Sequence, residues 1–331
     1  MAVLVVNAGS TSLKLHLVEG DEATPVDSLE VDCEAVAHRA VHGGPWFREP
    51  IVVDAGVEER IRELEEMAPL HNVPALRAIE EARRWHRAIP QIAVFDTAFH
   101  STIPAVAAVY AVPRRWREEW GIRRYGFHGL SVQWVAERVR VPRLVVCHLG
   151  GGSSVTAVRD GHSVDTTMGF SPLEGVPMAT RSGSIDPGAL LYVLRHRHPD
   201  PEAIEHDLNF ESGLKALGGS GDVRELEPEG LALQVFTYRV AGAVAAMAAA
   251  FGGLDALVFT AGIGEGSAFV REQVCGRLGF LGIEIDKELN GRAKPDCEIA
   301  ADSSAARVNV IHAREELVAA RAARALLASL A

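Results

Sequence analysis

Near the N-terminus, apolar residues fall in short runs broken by glycines and hydroxyls, not in long helical stripes. Leu4-Val5-Val6 leads into Asn7-Ala8-Gly9-Ser10-Thr11-Ser12, and Leu13-Lys14 opens a second run that closes at Gly20. This pattern predicts a strand, a Gly/Ser turn and a returning strand. About 140 residues later the device recurs as Leu144-Val145-Val146-Cys147-His148-Leu149, then Gly150-Gly151-Gly152-Ser153-Ser154, closing at Gly161. A strand ending in glycines and hydroxyls presents bare backbone N–H groups to an anion. Two such hairpins predict two homologous domains facing one polyphosphate, the layout of a phosphotransferase with a cleft.

The remaining pattern predicts strands near Val26–Val31 and at Ala37–Val41, Ile51–Val53 and Ile92–Phe95. Helices are predicted over Glu58–Met67 and Val73–His86, with Pro74 near the first turn of the second. The second half repeats the order, with strands at 144–147, 153–158 and 162–166, then helices, then Ala256–Thr260 and Val308–Ile311. Glu315–Leu330 is Ala-rich and predicts a terminal helix folding back on the first domain. Strands mixed with helices, with glycines at strand ends, predict an α/β fold with its ligand at the carboxyl ends of the strands. The expected division is residues 1–100 plus 315–331 against 101–314.

A chain of 331 residues accommodates about two such domains. Its net charge of −11 argues against a nucleic-acid partner, which favours a basic face. Arg114-Arg115-Trp116-Arg117, with Arg123-Arg124, is the local exception and reads as a solvated or subunit-contact surface. Cys33, Cys147, Cys275 and Cys297 show no CxxC spacing, and read as small buried hydrophobes in a reducing compartment. The N-terminus lacks the charged n-region of a signal peptide. The most apolar run, Val240 to Gly253, is shorter than the roughly 20 residues of a membrane span and predicts a buried helix. These features predict a cytoplasmic protein.

Five further segments carry polar residues at predicted loops. In His38-Arg39-Ala40-Val41-His42-Gly43-Gly44, an arginine at a strand end suits bidentate binding of a carboxylate or phosphate. In Phe95-Asp96-Thr97-Ala98-Phe99-His100, a carboxylate ends an apolar strand; a metal, an arginine, a substrate or a helix N-cap would each account for it. Tyr125-Gly126-Phe127-His128-Gly129 lets backbone approach a ligand. The stretch from Thr166 to Pro187 is a long Gly-, Pro- and Ser-rich loop, within which Arg181 is a candidate for stabilising transferring phosphoryl charge. Gly218 to Arg224 and Thr260 to Gly266 can wrap a nucleotide. The Gly262-x-Gly264-x-Gly266 spacing is not GxGxxG, and neither a P-loop nor an HExxH motif occurs, so a Rossmann dehydrogenase, a P-loop enzyme and a zinc protease are set aside.

Asn7 to Lys14, His38 to Gly44, Ala68-Pro69-Leu70-His71-Asn72, Phe95 to His100, Tyr125 to Gly129, Met168 to Pro187 and Thr260 to Glu265 together resemble acetate kinase signatures, in family order. The resemblance spans nearly the whole chain. It implies two duplicated ribonuclease-H-like domains around a cleft, the fold shared by sugar kinases, actin and heat-shock ATPases. It implies reversible transfer of the ATP γ-phosphoryl to acetate, giving acetyl phosphate and ADP, with Mg²⁺ or Mn²⁺, in a homodimer. Carried over by position, Asn7 and Glu315 fall at metal positions and Lys14 at an ATP contact. Arg39 falls at the substrate arginine, Asp96 at the essential carboxylate, and His128 and Arg181 at the groups that stabilise the transition state. The methyl pocket would be Val41, Leu70, Phe127 and Pro172. His148, Leu149, Gly150, Gly151, Gly152, Asp222, Val223, Arg224, Gly262, Ile263, Gly264, Glu265 and Gly266 fall at the nucleotide site. A carboxylate substrate is already ionised at pH 7, so Asp96, though often called a proton acceptor in this family, is expected to hold metal or orient arginine and substrate.

The chain departs from the family pattern mainly on the nucleotide side. Gly151 and Gly266 stand where asparagine is usual, Gly221 and Val223 where asparagine and phenylalanine are typical, and Val132 where a histidine is expected. Only about 20 residues separate the first hairpin from Ala37, where the family carries a longer insert. Three readings follow: an acetate kinase; a propionate or short-chain acyl kinase, or one using GTP or pyrophosphate; and an actin-like nucleotide switch that transfers nothing. Retention of the acyl-side residues disfavours the switch.

Overall fold

Each predicted hairpin seeds a six-stranded mixed sheet. The computed structural model describes residues 1–8, 13–66, 69–197 and 200–330, with side chains of 66 and 69–71 excluded. The first sheet contains β1 (Ala2–Ala8), β2 (Leu13–Glu19), β3 (Glu22–Val26), β4 (Ala35–Ala40), β5 (Ile51–Val52) and β6 (Gln91–Phe95), with α1 (Ala55–Glu63) and α2 (Pro69–Trp85) before β6. Short helices α3 (Ala105–Ala108) and α4 (Arg114–Glu118), then α5 (Gly129–Arg138), lead to the second sheet. There β7 (Arg143–Leu149), β8 (Ser153–Arg159) and β9 (His162–Thr166) precede α6 (Pro187–His196), α7 (Pro201–Phe210), α8 (Gly213–Gly218) and α9 (Leu231–Ala249). The chain continues through β10 (Ala256–Thr260), α10 (Ala261–Gly266), α11 (Ala268–Gly276), α12 (Lys287–Gly291), β11 (Cys297–Glu298), β12 (Arg307–Val310) and α13 (Glu315–Leu330).

The strand orders are β3-β2-β1-β4-β6-β5 and β9-β8-β7-β10-β12-β11. In each sheet an antiparallel hairpin (β1–β2, β7–β8) continues into parallel pairs (β1–β4–β6, β7–β10–β12). The duplication is therefore topological, and the carboxyl ends of three parallel strands gather at one edge of each sheet. There Asn7 lies opposite Arg39 across β1–β4, and His148 opposite Thr260 across β7–β10.

Both faces of the first sheet are covered, which is why β1 and β6 read as continuous apolar runs. Alternation still assigns the faces. Val3 and Val5 pack with Val18, Ile92 and α13, whereas Leu4 and Val6 pack with Val36 and α2 residues Ala78 and Ala82. The alanines of α13 explain its placement: Ala319, Ala320 and Ala323 are buried beside Leu317 and Val318, in one core with Trp134 of α5 and Leu144 and Val258 of the second sheet. Small side chains let this helix lie close between the two halves.

Two expectations shift. The third strand is Glu22–Val26, not Val26–Val31, because the tight turn at Gly20-Asp21 pairs Glu19 with Glu22 and Leu15 with Val26. The residues after it form the crossover to β4, with Leu29 buried under the outer face. Pro74 lies inside α2, which begins at Pro69, so it is not near the first turn. The apolar run from Val240 belongs to α9, which is long and apolar enough to cross a membrane. Half of that stretch is buried, with Phe236, Val240 and Val244 in the second core.

Candidate active site

At the edge of the first sheet, Arg39 at the end of β4 meets three oxygen-bearing side chains. Its Nε donates to Asp96 Oδ1 (3.0 Å) and Nη2 to Asp96 Oδ2 (2.5 Å), a bidentate fork. Nη1 donates to Asn7 Oδ1 (3.1 Å) and lies 3.5 Å from Glu315 Oε2. Asp96 is 1% exposed, Arg39 15% and Glu315 17%. The carboxylate that ends an apolar strand is thus accounted for by an arginine, not by a helix N-cap. Burial works against the Arg39 charge, but Asp96 and Glu315 overcome it and hold the guanidinium well above its ordinary range. Burial raises the Glu315 carboxyl, with Arg39 and Lys14 opposing and Asp96 adding to it.

The Gly126-to-Gly129 segment brings in His128. A Cβ at Gly129 would lie 1.9 Å from the Asp96 carbonyl oxygen, so only glycine lets α5 start against the Asp96 backbone. His128 itself holds a left-handed backbone (φ 59°), a strained state for a non-glycine residue and one that clusters at functional sites. Its Nδ1 bonds Ser154 Oγ (3.0 Å), and its ring stacks on His148 at 4.0 Å. His148 in turn bonds Ser131 Oγ through Nδ1 (2.8 Å). Burial, then the neighbouring His148, Arg39 and Arg181, push His128 well below its usual value, and burial lowers His148 to about 4. Both shifts favour the neutral imidazole, the form in which His128 can offer a hydrogen bond without carrying charge.

Arg181, on the long loop after β9, completes the set. Its Nη1 donates to the Pro172 carbonyl (3.3 Å) and lies 3.9 Å from Met178 Sδ. Burial lowers its pKa, and among the described residues no carboxylate forms a salt bridge with it. A Cβ at Gly152 would meet His128 Nε2 at 3.1 Å and Arg181 Nη1 at 3.6 Å, so glycine, imidazole and guanidinium converge on one point. Arg39 is committed to carboxylates, while Arg181 has its positive charge available for an anion.

Beside these groups lies a small apolar cluster of Val41, Phe127, Met168 and Met178, each no more than 9% exposed. Val41 and Phe127 are expected there. The two methionines are not; they stand ten residues apart, near the start and in the middle of the Thr166–Pro187 loop, and the fold of the loop brings them together. Pro172 is only partly buried and lies outside this cluster; its carbonyl holds Arg181. Leu70 lies outside the residues whose side chains are described. His42, Asn72 and His100 also escaped assignment. Asn72 exchanges two hydrogen bonds with the His42 backbone (3.2 and 3.1 Å). His100 bonds the Phe127 carbonyl and Ser163 (2.8 Å each). All three brace the segments that carry Arg39 and His128.

At the edge of the second sheet, a cavity of about 630 Å³ is lined by Gly150, Gly151, Gly221, Asp222, Val223, Arg224, Gly262, Ile263, Gly266 and Ser267. Apart from Asp222 and Arg224 its wall is mainly backbone, Val223 and Ile263. Those two charged residues pair with each other, and hydrogen bonds from Arg224 hold Asp222 down at about 2. The other residues expected at the nucleotide site do not line this cavity. Leu149 is fully buried in the second core, and His148 belongs with His128. Gly264 packs under the end of β10, and the Glu265 carboxylate turns to the segment before α13. Lys14 is exposed on β2, opposite Asn7. A Cβ at Gly151 or Gly266 would meet nothing within 4 Å, so both positions have room for a side chain.

Asn7, Asp96 and Glu315 form an all-oxygen donor set, the ligand type that suits Mg²⁺, which keeps several waters and binds one or two carboxylates plus substrate phosphate. Among the described residues no group of three or more His, Cys, Asp or Glu side chains could hold a metal alone. The residues therefore fit a metal that arrives with phosphate, not a resident cage.

Known proteins resemble this chain over most of its length. Residues 21–321 match the profile of the acetokinase family. An acetate kinase of Protochlamydia amoebophila is 44% identical over 330 residues, covering 94% of this chain and 83% of its own. A solved propionate kinase from Francisella tularensis superposes with a TM-score of 0.90 at 33% identity, covering 97% of this chain and 98% of the other. Porphyromonas gingivalis acetate kinase gives 0.88 at 31%, covering 98% and 99%.

Proposed function

Since this chain belongs to the acetokinase family, a family of kinases with a carboxyl group as acceptor, we propose that it moves the γ-phosphoryl group of ATP directly onto acetate through Arg39, Asp96, His128 and Arg181. The observation that carries this reading is the convergence of Gly152, neutral His128 and carboxylate-free Arg181 between the apolar cluster and the glycine-lined cavity.

In the reaction a carboxylate oxygen of acetate forms a bond to the γ-phosphorus while the bond from that phosphorus to the β,γ-bridging oxygen breaks, leaving ADP. The transition state is loose, so positioning and charge neutralisation supply most of the catalysis. Val41, Phe127, Met168 and Met178 receive the methyl group. Arg39, held rigid by the bidentate Asp96 fork, directs the carboxylate. Arg181 and the His128 N–H face the equatorial oxygens of the migrating group. Asp96 orients Arg39 and takes no proton, because the acceptor has none to give. Asn7 and Glu315 would hold Mg²⁺ (or Mn²⁺), which neutralises phosphate charge when bound. Gly151, Gly262 and Ile263 cradle the nucleotide through backbone N–H groups, with Val223 against the base.

The two methionines favour a second acceptor. Thioether side chains are pliable, and one methylene discriminates by only about 1–3 kcal/mol, so propionate is expected to be used as well. A homodimer is supported by α6, whose Leu190, Leu191, Tyr192, Val193 and Leu194 include no buried residue. A reducing cytoplasmic setting suits four unpaired cysteines. We divide the chain at about residue 100 and join α13 to the first domain, since that helix packs on β1, β2 and β4. Hydroxamate trapping of acyl phosphate, run over acetate, propionate and butyrate with ATP, GTP and pyrophosphate, tests the proposal. Acetyl and propionyl hydroxamate with Mg-ATP are expected; none with any pairing would leave only the nucleotide switch.

A further inference from the structure

Glu265 has a bonding pattern that the reaction does not explain. Its Oε1 accepts hydrogen bonds from the backbone N–H of Ala261 and of Ala313 (2.9 Å each), and its Oε2 pairs with His312 Nδ1 (2.6 Å). The side chain is 16% exposed. Ala261 opens α10, whose Gly262, Ile263 and Gly266 line the nucleotide cavity. It holds a left-handed backbone (φ 66°), which a residue with a Cβ keeps only when its surroundings enforce it. The Glu265 carboxylate grips the amide of that strained residue.

The other end of the contact is equally placed. Residues 311–314 carry the chain from β12 back to α13, between the two halves. The segment is pinned further by Asp296 Oδ1, which accepts from the His312 N–H (2.7 Å), and by Trp134 Nε1, which donates to the His312 carbonyl (3.0 Å). Immediately beyond stands Glu315, 3.5 Å from Arg39, which forks onto Asp96. A continuous line of hydrogen bonds and one short backbone segment thus joins the nucleotide cavity to the acyl-side cluster.

We propose that Glu265 is a positioning residue: a strut that fixes the nucleotide loop to the crossover segment and so sets Glu315 and Arg39 when a nucleotide is bound. It is not itself a nucleotide ligand. The inference rests on the phosphotransfer reading above, because it assigns the strut's purpose to that reaction.

The test compares wild type, Glu265→Ala and Glu265→Gln by steady-state kinetics in ATP and acetate, and by amide hydrogen exchange. Glutamine keeps a carbonyl oxygen for the Ala261 and Ala313 amides; alanine keeps nothing. In Glu265→Ala the exchange of both amides should quicken about tenfold while Val258 in the second core is unchanged. Its kcat should fall about 100-fold, the cost of a roughly 1 Å misplacement, and the KM values for ATP and acetate should both rise. Glu265→Gln should recover exchange and kcat to within about threefold of wild type. A rise in ATP KM alone, with kcat, acetate KM and Ala313 exchange unchanged, would make Glu265 an ordinary nucleotide contact and overturn the strut. So would a glutamine variant no better than alanine. A wild-type protein inactive with every donor and acceptor would instead overturn the phosphotransfer reading, and slow exchange at Ala261 and Ala313 would still report the strut itself.

Discussion

The same three strand ends are furnished in opposite ways in the two halves. At the ends of β1, β4 and β6 stand Asn7, Arg39 and Asp96, joined side chain to side chain. At the ends of β7 and β10 stand Gly150, Gly151, Gly262 and Ile263, which offer backbone and one apolar side chain. One copy of a duplicated fold has become a rigid charged cluster and the other a bare cradle. The division suits the proposed reaction. A small acceptor must be placed to a fraction of an ångström, which takes locked side chains. A polyphosphate has charge enough to be held by oriented N–H groups.

The comparison is broken most severely from the charged side. Asp96→Asn replaces one acceptor oxygen of the Arg39 fork with a donor, so turnover should fall by about 1,000-fold or more, as for other losses of oriented charge in a dry site. On the proposed mechanism the Arg181 charge serves the transferring group, so Arg181→Ala should cost about 100- to 1,000-fold in kcat with a small change in ATP KM. Arg181→Lys should recover only part of that loss, since a point charge replaces a planar fork.

Acid should weaken both halves. Burial lowers His38, His42 and His100 to about 4 beside the first sheet, as it does His148 at the end of β7. Their unfolded value is 6.5. Between about 4 and 6.5 the unfolded chain therefore binds more protons, and stability falls as pH falls through that window. Each histidine should cost roughly 1–2 kcal/mol between pH 7 and pH 5. Urea midpoints at the two pH values check this; equal midpoints would mean that these imidazoles are not buried neutral.

Smaller effects sharpen the contrast. Met178→Ala should widen the apolar cluster and shift kcat/KM toward propionate and butyrate over acetate by about tenfold, a gain measured by the ratio of acyl hydroxamates. Gly151→Asn, alone or with Gly266→Asn, places an amide where nothing now stands within 4 Å. It should lower the ATP KM by about threefold to tenfold, one hydrogen bond's worth, without altering kcat. An unchanged KM would show that the backbone cradle already grips the phosphates fully.

Much of this was legible in the chain itself. Apolar runs bounded by glycines located both hairpins, Ala256–Thr260 and Glu315–Leu330, because each is a local pattern. The resemblance supplied Asn7, Arg39, Asp96 and Glu315, and the geometry gathers them. What could not be read depends on contacts distant in sequence. Met168 meets Met178 and Val41 only when the loop folds back on β4 and the Phe127 segment. The Glu265 carboxylate finds its partner 47 residues away. Leu149 sits in a motif that looks like a phosphate loop, yet alternation along β7 sends its side chain into the core. The third strand precedes the apolar run Val26–Val31, because a two-residue turn, not apolar periodicity, sets its register.

The division between a charged cluster and a backbone cradle is tested most directly by ATP affinity in the Asp96→Asn variant. Equilibrium titration should return a dissociation constant within about threefold of wild type, although turnover is lost. A dissociation constant that rises in step with the loss of kcat would contradict it, since the nucleotide would then depend on the charged cluster as much as on the glycine cradle.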